Sequence, residues 1–341
     1  MRSVIIVHPD FDHTWPWAAD HFHALWQAQG PVEFIRQKQG DSTPASRAVI
    51  KPETVTRLAV LAGAVGADCV QAFSAVKEAT IMGTYAATDL SKAFAERGVR
   101  TIAHPSEGFW GQSVSEMGLA LTLCGLRRIP QTHHSILTSL EDWTYEQPSG
   151  IGAPGMRGHQ YGDDNRFTNG TLEGKRVRVV GAGNIASRYA SFASALGAEV
   201  SAWDPYASEP CFHRAGSRRE WHLDSLMTDA EIFAPMVPLT DKTRGLITQA
   251  HLEALPRGCL VVLVTRADIC HMPTLRRRVL ADELALAADV FDIEPLPLND
   301  PLLGRHNVVH TPHNAGRTRQ ANELFAAKLA EQFTPVSCEG D

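Results

Sequence analysis

Short apolar runs recur through the second half of the chain, each followed by a turn and then by a stretch with helical spacing. The runs Arg176–Val180 (RVRVV), Glu199–Trp203, Glu231–Met236, Leu260–Val264, Ala287–Phe291 and Asn307–Thr311 are predicted strands, and Ala186–Leu196 and Pro273–Ala281 are predicted helices between them. Strands that are apolar with little alternation suit a sheet covered by helices on both faces, and strand–helix alternation signals parallel βαβ units. The first half repeats the pattern more weakly, with strands at Ser3–Val7, Val32–Ile35 and Val99–Ala103 and a helix at Ala18–Gln29. From Ser113 to Arg128 a helix is expected, because Leu119, Leu123 and Leu126 share one face. Pro130 ends or kinks it, and a second helical stretch runs to about Ser139. Residues 144–171, rich in glycine, proline and polar side chains, read as a long loop, and Gln320–Phe333 as a C-terminal helix.

Length and composition narrow the class. A chain of 341 residues exceeds what one core usually serves, so two domains are expected. Hydrophobic residues at 44% and charged residues at 21% describe an ordinary globular protein. A net charge of −6 speaks against nucleic acid or an anionic membrane as the main partner. The six cysteines show no CxxC spacing and several sit in apolar runs, which points to buried reduced thiols. With no apolar run of membrane-spanning length and too short an apolar start for a signal peptide, the expectation is a soluble, cytoplasmic protein.

The first chemical signal is Gly181-Ala182-Gly183-Asn184-Ile185-Ala186, which leaves a predicted strand and opens a predicted helix. Gly181 permits a tight turn, Gly183 lets backbone approach a pyrophosphate, and Ala186 allows close helix–sheet packing. The helix N-terminus presents amide hydrogens and a positive dipole end to the phosphates. Asp204, ending the next strand, suits the adenosine ribose hydroxyls and repels a 2′-phosphate, so the cofactor expected is NAD rather than NADP.

The second signal is a set of three ionisable residues beyond three late strands: Arg266, Glu294 and His313. Ligands of open α/β sheets bind outside the carboxyl ends of the strands, which directs all three toward one crevice. A guanidinium grips a carboxylate with a planar fork. An imidazole moves protons near neutral pH, and a neighbouring carboxylate favours its charged form and fixes its tautomer.

Taken in order, VVGAGNIA, WDPY, VPLTDKTRGLI, LVVLVTRAD, ADVFDIEPLP and TPHNAG resemble the D-isomer-specific 2-hydroxyacid dehydrogenase family over roughly residues 75 to 325. The resemblance implies a hydride moved between NAD(H) and the 2-carbon of a small 2-hydroxy or 2-oxo acid. It assigns Arg266 to the substrate carboxylate, His313 to acid/base work and Glu294 to the histidine's partner, where the similar formate dehydrogenases carry glutamine. It places Pro238 and Thr243 along the cofactor and Asp289 at the nicotinamide carboxamide. Thr265 joins Gly181, Gly183, Asn184, Ile185 and Asp204 as cofactor-contacting residues.

The resemblance further implies two Rossmann-like domains, doubly wound parallel sheets with an active-site cleft between them. Their expected bounds are 1–112 plus 318–341 for the substrate domain and 113–317 for the NAD domain. A homodimer is expected, with the helical stretch near 113–139 at its interface.

The chain also departs from the family. Arg266-Ala267-Asp268-Ile269-Cys270-His271 lacks the glycine usual after the arginine and the later Val-Asp pair. Ile81-Met82-Gly83-Thr84-Tyr85, the nearest match to the substrate-carboxylate loop, lacks Gly-x-Gly character, and Trp110 in the segment PSEGFWGQ stands where a small polar residue is commoner. Met82, Gly83, Tyr85 and Trp110 are therefore substrate-site candidates; Tyr85 and Trp110 either shape a pocket or pack domain on domain. The 144–171 loop is either a lid or subunit contact or a surface insertion. No metal is expected, since the histidines at 13, 21 and 23 lack a ligand set's spacing. Two alternatives stay open: an NAD-sensing regulator or scaffold without turnover, and a dehydrogenase for an unusual donor such as a sugar acid or inorganic oxyanion.

Overall fold

The computed structural model describes residues 1–83, 85–103, 108–145, 158 and 160–335, the side chains of 85–88 excepted. The chain forms two compact units, Met1–Phe109 with Arg317–Asp341, and Trp110–Gly316.

The first unit holds five parallel strands, Ser3–Val7 (β1), Val32–Arg36 (β2), Arg57–Leu61 (β3), Glu78–Met82 (β4) and Arg100–Thr101 (β5), in the order β2-β1-β3-β4-β5. Every residue of β1 is buried because both faces are covered. Val4 and Ile6 pack with Leu58, Val60, Phe73 and Phe94 on one side. Ile5 and Val7 pack with Phe22, Trp26, Phe325 and Leu329 on the other. The last two belong to the Arg319–Ala330 helix, which lies against Ala18–Gln27, so the C-terminal segment completes the N-terminal core. Strand β5 is two residues of the predicted five, and β3 and β4 were not anticipated. Each has charged residues or side chains without a β-branch among its five, Arg57, Leu58 and Leu61 in one and Glu78 and Met82 in the other, and burial within the sheet decides them.

The second unit holds seven parallel strands: Arg176–Val180 (β6), Glu199–Trp203 (β7), Arg218–Arg219 (β8), Ile232–Pro235 (β9), Leu260–Leu263 (β10), Ala285–Ala288 (β11) and Val308–His310 (β12). Their order is β12-β11-β10-β9-β6-β7-β8. The order reverses between β6 and β9, and such a switch point leaves a crevice at the carboxyl ends of the strands. The helices Gly111–Arg127 and Asn184–Ala195 cover one face together, joined by a 2.9 Å hydrogen bond between the buried Tyr189 and Thr122 hydroxyls. Arg128, in the left-handed region, separates the first of these from a short helix, Ile129–Ser135, which has Pro130 in its first turn.

One strand differs from its expected position. Ala287–Phe291 was predicted, but β11 is Ala285–Ala288, fixed by pairing Leu260 with Ala285 and Leu286 with Val308. Val290 and Phe291 carry strand-like side chains, whereas Ala-Leu-Ala-Ala reads as helix; pairing with a strand on either side, β10 and the edge strand β12, overrides that preference. Within the long loop, Phe167 is buried, as is Leu172 just after it, and the Thr168 amide donates to the Gly258 carbonyl at 2.8 Å, which ties this part to the body of the unit. Residues 146–157 and 159 lie outside the described residues.

Candidate active site

The glycine turn lies at the switch point. Gly181 has φ +111°, and a β-carbon there would stand 3.0 Å from the Met236 carbonyl oxygen on the chain leaving β9. Both the angle and the space therefore require glycine. Gly183 caps the Asn184–Ala195 helix, and a β-carbon there would meet no atom within 4 Å. Having no side chain, Gly183 offers no acceptor to the first-turn amides, so the helix start suits an anion, and the open face leaves room for a pyrophosphate. Asp204 faces the same turn: its Oδ2 accepts from the Ala182 amide at 2.9 Å, and its Oδ1 from the Tyr206 and Ala207 amides at 2.9 and 3.1 Å. A carboxylate has roughly four acceptor sites, so three internal bonds leave capacity for a ribose hydroxyl. This donor and acceptor set fits a dinucleotide.

The three ionisable residues leave neighbouring strands: Arg266 follows β10, Glu294 follows β11 and His313 follows β12. His313 Nδ1 lies 2.6 Å from Glu294 Oε2, and Glu294 Oε1 accepts from the Phe291 amide at 2.8 Å. Both side chains are about one-third exposed (37% and 34%), so Nε2 is the ring nitrogen left to meet a substrate. His313 has φ +51°, an uncommon conformation for a residue with a β-carbon. Asp289 holds it there. Fully buried at the end of β11, Asp289 accepts from the Thr311 hydroxyl (2.6 Å) and the Asn314 amide (3.0 Å) through Oδ1, and from the Ala315 amide (2.9 Å) through Oδ2. Arg266 is exposed, donates to the Thr265 carbonyl at 2.7 Å, and forms no ion pair among the described residues. A charged fork without an anionic partner among the described residues, following the strand next to the one that leads to Glu294, is suited to a carboxylate ligand.

Comparison with known proteins agrees with this geometry. A family model described as the D-isomer specific 2-hydroxyacid dehydrogenase NAD binding domain matches residues 151–315. D-3-phosphoglycerate dehydrogenase from Archaeoglobus fulgidus is 30% identical over 226 residues, covering 66% of this chain and 39% of that protein. Residues 151–315 belong to the NAD binding domain of the D-isomer specific 2-hydroxyacid dehydrogenases. Glyoxylate reductase from Aeropyrum pernix is 31% identical over 172 residues, 48% of each chain. The NAD-complexed D-isomer specific 2-hydroxyacid dehydrogenase from Lactobacillus delbrueckii ssp. bulgaricus matches with a TM-score of 0.70 at 17% identity, covering 97% of this chain and 96% of that one. The chain spans about two fifths of the length of the D-3-phosphoglycerate dehydrogenases it matches.

The remaining candidates sort by what their side chains touch. The Thr265 hydroxyl is buried and donates to the Pro235 carbonyl at 3.3 Å, turned into the sheet. Thr243 closes its own loop, donating to the Pro238 carbonyl (2.6 Å) and accepting from the Thr240 amide (2.8 Å), while Pro238 stays exposed. Trp110 precedes the Gly111–Arg127 helix, whose start packs on both halves of the site. Ser113 donates to the Ala315 carbonyl, and a β-carbon at Gly111 would stand 2.6 Å from Asn184 Oδ1. The buried Ser115 hydroxyl donates to the carbonyls of Gly111 (2.5 Å) and Ile185 (3.0 Å). Gly111 and Ser115 are thus supports that sequence reasoning missed, since small residues in a helix carry no visible signal.

In the first unit, Met82 ends β4 and its carbonyl accepts from the Ala62 amide at 2.7 Å. Gly83 has φ +100°, and a β-carbon there would lie 2.9 Å from Ala62 Cβ. Tyr85 begins the Tyr85–Glu96 helix; its side chain, Thr84 and residues 104–107 lie outside the described residues.

The segment after Arg266 is closed by other means than the family's glycine. Ala267, Ile269 and Cys270 are buried, and Asp268 pairs with Arg244 at 2.5 Å. Burial pushes the Cys270 thiol up to about 12, which removes it as a nucleophile. His271 Nδ1 is 2.9 Å from the Thr274 hydroxyl, a local contact. Among the described residues no cluster could hold a metal, and no helix is long and apolar enough to cross a membrane.

Proposed function

We propose that this chain interconverts a small 2-oxo acid and its 2-hydroxy acid at the expense of NAD(H). The observation that carries the reading is the 2.6 Å contact between His313 Nδ1 and Glu294 Oε2, with Arg266, after the adjacent strand β10, forming no ion pair among the described residues. Arg266 grips the substrate carboxylate and turns the 2-carbonyl toward His313. Glu294 accepts the Nδ1 hydrogen, which leaves Nε2 to carry the transferable proton. Bound NADH supplies the hydride to the 2-carbon, and NAD⁺ takes it back in reverse. His313 Nε2 gives its proton to the carbonyl oxygen in reduction and recovers one from the hydroxyl in oxidation. Gly181, Gly183 and the following helix start would hold the pyrophosphate, and Asp204 the ribose hydroxyls.

The decisive assay follows NADH absorbance across glyoxylate, pyruvate, hydroxypyruvate and longer or branched 2-oxo acids. At least one acid is expected to be reduced, with NADH preferred over NADPH by about tenfold or more, because a 2′-phosphate meets the Asp204 carboxylate. Asp204→Ser is expected to narrow that preference. Tight NADH binding without turnover of any acid would instead identify a cofactor-sensing regulator.

We also propose that the chain is a homodimer. Leu137, Leu140, Trp143 and Tyr145 follow the Ile129–Ser135 helix as a run of exposed apolar side chains, with Leu140 81% and Trp143 64% accessible. A concentration of this kind is unusual on a monomer and suits a second copy. Leu140→Glu is expected to weaken the dimer at least about tenfold in sedimentation velocity. A wild type that is monomeric at all concentrations, or a variant that stays dimeric, removes the idea. The buried thiols of Cys69, Cys259 and Cys270 suit a reducing compartment, and we propose the cytoplasm.

A further inference from the structure

From Asp289 to Asn307 the chain that carries Glu294 has neither helix nor strand, and Asp292 through Pro295 are exposed. Apolar packing around Glu294 therefore does little to hold its carboxylate at 2.6 Å from His313. One side chain from a different element does reach this segment. Arg276, on the Met272–Leu280 helix, bridges Asp292 and Asp300. Its Nε donates to the two Asp292 oxygens at 2.9 and 3.0 Å, and its Nη2 to Asp292 Oδ1 at 2.8 Å. Its Nη1 donates to both Asp300 oxygens at 3.1 and 3.0 Å. The guanidinium is only 16% exposed and Asp300 only 7%, so the contact is largely shielded from water. The hydrogen bonds to Asp292, ahead of its charge, stabilise the cationic form of Arg276 further. Asp300 is itself anchored, with Oδ1 accepting from the amide of the buried Leu302 at 2.9 Å.

We infer that Arg276 is a positioning residue, a clamp that closes the 292–300 segment at both ends and so aligns Glu294 against His313. This rests on the reaction proposed above. Asp292 lies two residues before Glu294 and Asp300 six after, so the clamp brackets the acid it aligns. The planar fork matters because it addresses two carboxylates along different edges, which a lysine ammonium does not reproduce. An ångström of drift at Glu294 is enough to break a 2.6 Å contact, and misplacements of that size can cost about 10²-fold in rate.

The test is a double-mutant cycle on the full chain with the best 2-oxo acid. Arg276→Met is expected to lower kcat about 10- to 100-fold while the NADH dissociation constant stays within about twofold. Arg276→Lys should recover only part of the loss. In a Glu294→Gln background, Arg276→Met should cost less than about threefold more, because the residue it aligns is already disabled. Should Arg276→Met fail to fold, Asp292→Asn removes one arm only and goes through the same cycle. Unchanged kcat, or losses that multiply with those of Glu294→Gln, overturns the clamp. A wild type inactive toward every 2-oxo acid overturns the underlying reaction instead, so the two failures are told apart.

Discussion

Replacing His313 with asparagine should lower kcat for 2-oxo acid reduction by about 10²–10⁴-fold and leave NADH affinity unchanged. The expectation comes from geometry. With Nδ1 against Glu294 Oε2, Nε2 is the remaining ring nitrogen, and an amide side chain at 313 has no proton to transfer near neutral pH. Asparagine is chosen for the backbone: at φ +51° it tolerates the left-handed region better than most residues, so the loop held by Asp289 through Thr311, Asn314 and Ala315 should persist. An unchanged melting temperature then assigns the loss to chemistry. Glu294→Gln should fall short of this effect, since it leaves the imidazole in place and withdraws only the charge behind it. If His313→Asn keeps more than about a tenth of wild-type kcat, proton transfer by this residue is not the source of catalysis.

The second large effect is expected at Arg266. Arg266→Gln should reduce kcat/KM by about 30- to 1,000-fold, the range for truncating one partner of a charged, hydrogen-bonded pair. Arg266→Lys should lose about tenfold, since it keeps the charge and not the fork. Arg266 makes one described side-chain hydrogen bond inside the protein, to the Thr265 carbonyl, so neither substitution strips a partner from a buried network. The discriminating measurement compares a 2-oxo acid with its neutral methyl ester. Wild type should prefer the acid strongly, and Arg266→Gln should erase that preference. Equal acid-to-ester ratios in the two proteins would mean that the guanidinium does not read the carboxylate.

Much of this site lies in the open in the sequence, and the reason is local. A glycine turn between strand and helix, with an acid at the end of the next strand, specifies φ angles, free amides and a ribose acceptor within a short span; Gly181, Gly183 and Asp204 show these features in place. Arg266, Glu294 and His313 were visible for a related reason: each follows a recognisable apolar run within a few residues, and parallel strands deliver their carboxyl ends to one side. Side chains that act over distance were not legible. Arg276 sits in a run of three arginines with no acid near it in sequence to mark a partner, and only the fold brings Asp292 and Asp300 to it. Asp289 reads as a cofactor ligand by resemblance, and only the fold shows its buried carboxylate also holding the loop of His313 through Thr311, Asn314 and Ala315.

By itself, then, the sequence determined the α/β class, the kind of cofactor turn and the identities of the ionisable groups, because periodicity and short motifs are properties of neighbouring residues. Tertiary structure alone decided where β11 begins, that β3 and β4 are strands at all, and which acids and bases face one another. Those outcomes depend on pairing and burial between segments far apart in the chain, where the free energy of a packed, hydrogen-bonded sheet outweighs the preference of any one residue.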